Sequence, residues 1–542
     1  MAAEARLITG GPSGGALRPA RRWPPVALLL PSLAAALATL SPVVYLLLRL
    51  SEAGSDAFDL LVNERTFRTL VRTATLAGAV TACAMLVSLP LAWLTVRTDL
   101  PLRRVWALLT VLPLVVPSYV GAFTVVEALG PKGLLQQLLQ PFGVDRLPEI
   151  YGFHGAVFTL TALTYPYVLL SVRTALWGMD PALEESSRSL GHGRWATFVR
   201  VTLPQLRPAL ASGGLLVALY ALADFGAVSI LRFNSFTYVI YSQYQSAFDR
   251  TLAAASSLVL IALALALLGI EAAARGRSRY YRAGRGDSRR AAATPLGVWR
   301  WPAFAFCAFV TALGLFLPLA VLGYLVAQGL DAGQEIRPVW EAARNSVYVS
   351  ALAAACAVAV AIPVALLSVR YPSKLSALLE RAAYLGFALP GIVVALALVF
   401  LGIRYVPSLY QTLALLVFAY VLLFLPIALG SVRTALMQIN PHLEEAGRSL
   451  GASPLRAFLT ITLPLLRPGL ATGAAMVFLV TMKELPATLI LGPIGFDTLA
   501  TETWSAASAA LQARAALSAL VLVFASALPM ALLIYWERRE EW

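Results

Sequence analysis

The chain has 542 residues, 59% of them hydrophobic and only 13% charged, with a mean hydropathy of +0.76, which excludes a water-soluble core-and-shell protein and points to a bilayer. A net charge of +14 would suit a nucleic-acid partner, but the arginines stand in short loops beside apolar stretches. The excess of Lys and Arg in cytoplasmic loops of membrane proteins explains them, and no nucleic acid is expected.

Residues 1–24 are rich in Gly, Ala and Arg and read as a disordered cytosolic N-terminus. Apolar runs of about 20 residues, the length that crosses roughly 30 Å of hydrocarbon, then fall near 25–48, 73–96, 105–128, 153–172, 208–231 and 252–270. The run 25–48 is too long for a signal-peptide core and reads as a retained first span. A second set of six falls near 302–327, 346–369, 383–403, 411–432, 468–491 and 515–536. The expectation is an all-α membrane protein of about 12 transmembrane helices. It divides into a first half, 25–271, an arginine-rich cytosolic linker, 272–300, a second half, 301–536, and a cytosolic tail, 537–542.

The halves are copies. Residues 171–210 align without a gap to 431–470, with 22 of 40 positions identical, and 73–97 align to 346–370, pairing Pro90 with Pro363 and Arg97 with Arg370. Spans 1 and 7 show no such match. An even number of spans per half leaves both in one orientation, as parallel six-helix repeats. The side richer in Lys and Arg holds both termini and both repeated loops, 173–207 and 433–467, and is expected to be cytoplasmic.

Each repeated loop carries helix signals. Asp180 or Asn440 can cap, Pro181 or Pro441 suits the first helical position, and Glu184, Glu185, Glu444 and Glu445 suit the positive end of the helix dipole. Gly191 and Gly451 end that helix. A second amphipathic segment runs to Leu203-Pro204 and Leu463-Pro464, so the unit is a helix-turn-helix between spans.

No phosphate-binding GxxxxGK[ST] loop exists, and none of Lys132, Lys374 and Lys483 follows such a stretch. His154, His192 and His442 lie in separate segments, and Cys83, Cys307 and Cys356 lie within apolar spans, so no metal cluster or disulfide framework is readable. His192 reads as a surface residue, because its counterpart is Ala452. The chain is expected to be a conduit that binds no cofactor itself.

Two carboxylates, Asp224 and Glu484, are matched by the repeat inside the fifth and eleventh spans. Acidic side chains at membrane depth usually face a cavity or a partner, and a hard trivalent cation favours oxygen ligands. Both are therefore candidates for a substrate pathway, with Ser118, Tyr119 and Glu127 of the third span. The competing readings are that the carboxylates stabilise helix breaks at DFGA and ELPA, with Glu484 paired to Lys483, and that the third span is a kinked helix with an interfacial tyrosine.

The repeated pattern Glu185, Gly191, Val201, Leu203, Pro204 and Glu445, Gly451, Ile461, Leu463, Pro464 resembles the EAA loop of ABC importer permeases of the binding-protein-dependent type. Both copies depart from Glu-Ala-Ala, reading Glu-Ser-Ser and Glu-Ala-Gly. The resemblance implies a type I ABC importer permease fold and a bacterial inner-membrane location. It also implies that Glu184, Glu185, Gly191, Leu203, Pro204, Glu444, Glu445, Gly451, Leu463 and Pro464 couple to a separate ATPase that holds ATP and Mg. Further strings, LVVPSYVGAF, LADFGAVSIL, MKELPATLIL and FDTLAT, resemble the fused twelve-span ferric-iron permeases, implying a periplasmic iron-binding protein and a homodimeric ATPase. Thiamine, polyamine or sulfate permeases share the architecture. An ion-coupled secondary carrier also has twelve spans, but it has no need of two matching cytosolic loops.

Overall fold

The computed structural model describes residues 24–52, 63–247, 250–275, 293–334 and 339–540. The N-terminal segment expected to be disordered and the arginine-rich centre of the linker, 276–292, lie outside these apart from residue 24. The described residues form helices and no named strand; a lone bridge joins Thr98 and Thr294. Among the described residues, ten helices are long and apolar enough to cross a membrane, and two sharply bent pairs raise the number to twelve if each pair is one crossing.

The first half comprises α1 (Val26–Glu52), α2 (Glu64–Arg97), α3 (Arg103–Leu109), α4 (Ser118–Leu129), α5 (Phe153–Gly178), the loop helix α6 (Pro181–Ser189), α7 (Leu203–Ala223) and α8 (Arg250–Arg275). In the second half Arg300–Thr311 leads through a wide turn into α9 (Leu317–Asp331). Then follow α10 (Trp340–Arg370), α11 (Lys374–Tyr384), α12 (Gly391–Tyr405), α13 (Leu413–Gln438), the loop helix α14 (Pro441–Ser449), α15 (Leu463–Met482) and α16 (Gln512–Glu540). The stretch expected as a tail continues α16 as far as Glu540, since Glu and Arg favour helix and nothing in WERRE breaks it.

In each half one long helix packs on two others: α2 against α5 and α7, and α10 against α13 and α15. Small residues permit it. Ala353, Ala357, Ala361 and Ala365, spaced four apart, form a fully buried ridge on α10. On α7 a Cβ at Gly213 would stand 2.7 Å from the Val168 Cα of α5, so only glycine lets the two backbones meet.

The third and ninth spans are broken, more sharply than the kinked helix read for the third at Pro117 and than the unbroken apolar run of the ninth. The helical segments meet at 98° across residues 116–117 and at 107° across 389–390. Val116 and Leu389 are extended (ψ 119° and 111°), because the ring of the following Pro117 or Pro390 crowds the helical conformation of its predecessor.

Each half lends its first span to the other. α1 packs on α10 and α11 as well as on α8 of its own half, and α9 packs on α4 as well as on its own α16. The linker is pinned where it rejoins the fold: the Thr294 N–H donates to the Arg97 carbonyl (2.8 Å) and the Leu296 N–H to the Asp99 carboxylate (2.8 Å).

Candidate functional site

The two loop units are built alike from sequence upward. The side chains of Asp180 and Asn440 accept the N–H of Ala182 and of His442, both at 3.0 Å, and a proline fills the next position in each. At the other end Gly191 (φ 86°) and Gly451 (φ 90°) take the left-handed conformation. The N–H groups that follow fold back onto helix carbonyls, Gly191 to Arg188 (2.9 Å) and His192 to Ser187 (3.2 Å), and likewise Gly451 to Arg448 (3.0 Å) and Ala452 to Gly447 (3.1 Å). This is the paired-bond ending that glycine favours. A Cβ at either glycine would meet nothing within 4 Å, so the requirement is conformational and not spatial. Gly191→Ala with Gly451→Ala should therefore cost about 1 kcal/mol of local stability at each turn and reduce coupled transport a few-fold. The asparagine pair, which tolerates this conformation better, should recover most of it; equal loss in both pairs, measured as uptake in vesicles, would contradict the assignment.

After the turn, a wide helical segment at Phe198–Thr202 and at Phe458–Thr462 brings the chain into α7 and α15, with the Leu203 N–H reaching the Phe198 carbonyl and Leu463 that of Phe458. Leu203, Pro204, Leu463 and Pro464 are half-buried where these spans begin.

The adjacent glutamates of each loop helix face different ways, because neighbours on a helix point about 100° apart. Glu185 and Glu445 are exposed, and Glu445 meets the His442 Nδ1 at 3.1 Å. Glu184 and Glu444 turn toward the spans: Glu184 Oε1 stands 3.8 Å from Arg97 Nη2, and Glu444 Oε1 3.2 Å from Arg370 Nη2. Four residues absent from the expected coupling set, Arg97, Arg370, Thr202 and Thr462, thus contact it. The repeat alignment already paired the two arginines, but they read as ordinary loop charges. His192 is tied to Ser187 Oγ (3.2 Å) and Arg200 Nη1 (3.1 Å) in the turn, which keeps it half-buried.

Outward, each unit presents matching apolar side chains. Leu190 is 79% exposed and Trp195 76% in the first; Leu450 is 89% exposed and Leu455 67% in the second. Leu183 and Leu443 lie alongside, also exposed. Large apolar groups on an otherwise polar helix unit form a surface of the kind that meets a protein partner or lipid.

At membrane depth α7 ends at Ala223 and α15 at Met482. Asp224 is buried, and its Oδ1 accepts the N–H groups of Ala227 (3.0 Å) and Val228 (3.3 Å), capping the short helix Gly226–Ile230. Glu484 Oε1 accepts the Ala487 N–H (3.2 Å) at the start of Pro486–Leu491. Lys483 does not pair with Glu484: its Nζ donates to the Leu114 carbonyl (2.7 Å), left free where the third span breaks, and so joins the two halves.

The breaks assemble symmetrically. The short helix Gly226–Ile230 packs on α4, where a Cβ at Gly226 would stand 2.7 Å from the Tyr119 Cβ, and in the second half a Cβ at Gly391, the first residue of α12, would fall 2.5 Å from Glu484 Oε1. Tyr119 is 3% exposed and packs against Gly226, with its hydroxyl unpartnered; it is an interior residue and not an interfacial one. Glu127 is apart from this group, at the far end of α4, where Gln512 Nε2 donates to both its oxygens (3.0 Å each).

Comparison with known proteins was made against this geometry. A profile of the family described as binding-protein-dependent transport system inner membrane component matches twice, over residues 84–278 and 357–540. An Fe(3+)-transport system permease protein of Haemophilus influenzae is 34% identical over 516 residues, 94% of this chain and 98% of that protein. A ferric transport system permease protein of Actinobacillus pleuropneumoniae is 26% identical over 452 residues, 78% of this chain and 64% of that one. A molybdenum transport system permease protein of Escherichia coli is 33% identical over 153 residues, 27% of this chain and 66% of its own length.

Proposed function

The chain belongs to the family of binding-protein-dependent transport system inner membrane components, and from that premise we propose that it is the single-chain permease of an ATP-driven importer that moves ferric iron. The observation that carries iron is the 34% identity to an Fe(3+)-transport permease over nearly the full length of both chains, whereas the molybdenum relative matches only 27% of this one. A periplasmic binding protein delivers the metal to the face opposite the loop units. Both loop units face the cytoplasm, as do the termini, and a homodimeric ATPase carrying ATP and Mg docks beneath them, one subunit per unit.

In this reading residues 25–271 and 301–536 are two halves around a central pathway. Closing of the ATPase pair drives α6 and α14, and the halves alternate in opening the pathway to either side. Asp224 and Glu484 supply negative charge at membrane depth, with the oxygens of Ser118 and Tyr119 beside them and Glu127 at the end of α4. A hard trivalent cation favours such donors. No covalent chemistry falls to this chain.

The test is reconstitution of the permease with its ATPase and binding protein in vesicles. The expected result is uptake of radioactive iron that requires ATP and stops when the ATPase is omitted. Uptake that follows an ion gradient without the ATPase, or transport of molybdate or sulfate in place of iron, would overturn the proposal.

A further inference from the structure

Arg97 and Arg370 end α2 and α10 at the loop face, yet they are not solvated loop charges. Their side chains are 6% and 13% exposed. Beyond the glutamate contacts, Arg97 Nη2 donates to the Leu176 carbonyl in the last turn of α5 (3.2 Å), and Arg370 Nη2 to the Ile439 carbonyl just after α13 (3.2 Å). The same carboxylate oxygen that faces each guanidinium accepts a hydroxyl from the entry to the next span: Thr202 Oγ1 to Glu184 Oε1 at 3.1 Å, and Thr462 Oγ1 to Glu444 Oε1 at 2.8 Å. In each half, then, the loop-helix carboxylate and the arginine it faces together join the ends of three membrane helices: α2, α5 and α7, or α10, α13 and α15.

Both arginines leave Nε buried without a partner, so withdrawing them from water is incompletely compensated. An arginine that merely marks the cytoplasmic side has no reason to bear that cost, because it can reach water or headgroups. The arrangement also occurs twice, at positions matched by the duplication, with each arginine reaching partners 69 or more residues away in the chain. Glu444 hydrogen-bonds Arg370 at 3.2 Å and Glu184 forms a looser ion pair with Arg97 at 3.8 Å, and the threonine hydroxyls tie each carboxylate to the next span, so each loop helix is attached to the spans at several points.

We propose that Arg97 and Arg370 are positioning residues for coupling: with Glu184–Thr202 and Glu444–Thr462 they form two linkages that convert displacement of the loop helices into displacement of the spans. This rests on the reading that an ATPase docks on those helices. A role confined to holding the fold would lower assembly and transport together; a linkage lowers the metal moved per ATP in an intact complex.

Two variant pairs test this in the reconstituted complex, Arg97→Gln with Arg370→Gln, and the isosteric Thr202→Val with Thr462→Val, which keeps the proposal testable if the first pair does not assemble. The expected result is co-purification of the ATPase at the wild-type level and ATP hydrolysis within about twofold, while iron moved per ATP falls at least tenfold for the arginine pair and a few-fold for the threonine pair. Unchanged iron per ATP in an intact threonine variant, or a parallel fall of complex yield and transport in both pairs, would overturn it. A wild-type chain that fails to hold the ATPase at all would instead remove the docking reading on which it rests.

Discussion

Leu190→Asp together with Leu450→Asp is expected to release the ATPase from the permease and abolish uptake, although the permease itself still inserts and folds. Both leucines project at the tips of the loop units, 79% and 89% exposed, so little of either side chain is packed against the fold. Truncating an apolar anchor at the centre of an interface typically costs about 2 kcal/mol, roughly 30-fold in affinity, and a buried unpaired aspartate adds to that. With both anchors lost, affinity should fall by about a thousandfold if the two costs add. Single substitutions should weaken binding without eliminating it, since the other unit keeps its hold. The measurement is the amount of ATPase retained on purified permease, with detergent thermal stability of the permease as control. Retention at the wild-type level would mean that these surfaces face lipid or solvent and not a partner.

Asp224→Asn with Glu484→Gln is expected to abolish iron uptake while leaving the helix breaks, assembly and ATPase binding intact. The two roles of these carboxylates separate cleanly in this pair. Each amide keeps an oxygen that can accept the same N–H groups of Ala227 and Val228, or of Ala487, so the short helices stay capped. What disappears is two negative charges at membrane depth, where a trivalent cation gains most from charged oxygen donors and loss of even a few kcal/mol lowers the rate more than a hundredfold. If the carboxylates serve the helix breaks alone, the amides substitute for them and uptake stays near wild type. Uptake assays on vesicles with matched permease content decide between these outcomes.

Much of the architecture is legible in the sequence because the loop units are polar and capped. Caps, a terminal glycine and Leu-Pro leave recognisable residues, and they occur twice in register. The same polarity hides the division of labour between Glu184 and Glu185, which depends only on which way each points from α6. Arg97 is obscured for a related reason: near the end of a span, an arginine buried under a loop helix has the same sequence surroundings as one reaching for water.

The apolar parts are harder to read. The run 105–128 gives little sign, apart from Pro117, that the chain turns through 98°. The exchange of α1 and α9 between halves leaves no trace, because surfaces facing lipid or other apolar helices accept almost any hydrophobic residue and the two sequences have lost their resemblance. Lys483 sits beside Glu484 in the chain, and an ion pair is the natural expectation; the structure offers its ammonium a carbonyl freed by a break in the other half. That partner lies 369 residues away and depends on both bends.

The claim on which the account turns is that both loop units grip one ATPase pair from the cytoplasmic side. Cysteines placed singly at Leu190 and at Leu450, in a chain whose native Cys83, Cys307 and Cys356 are replaced, should each cross-link to the ATPase in intact inner membranes, and the yields should change when ATP is bound. Cross-linking at only one of the two, or labelling of either cysteine by an impermeant thiol reagent added from the periplasmic side, would contradict it.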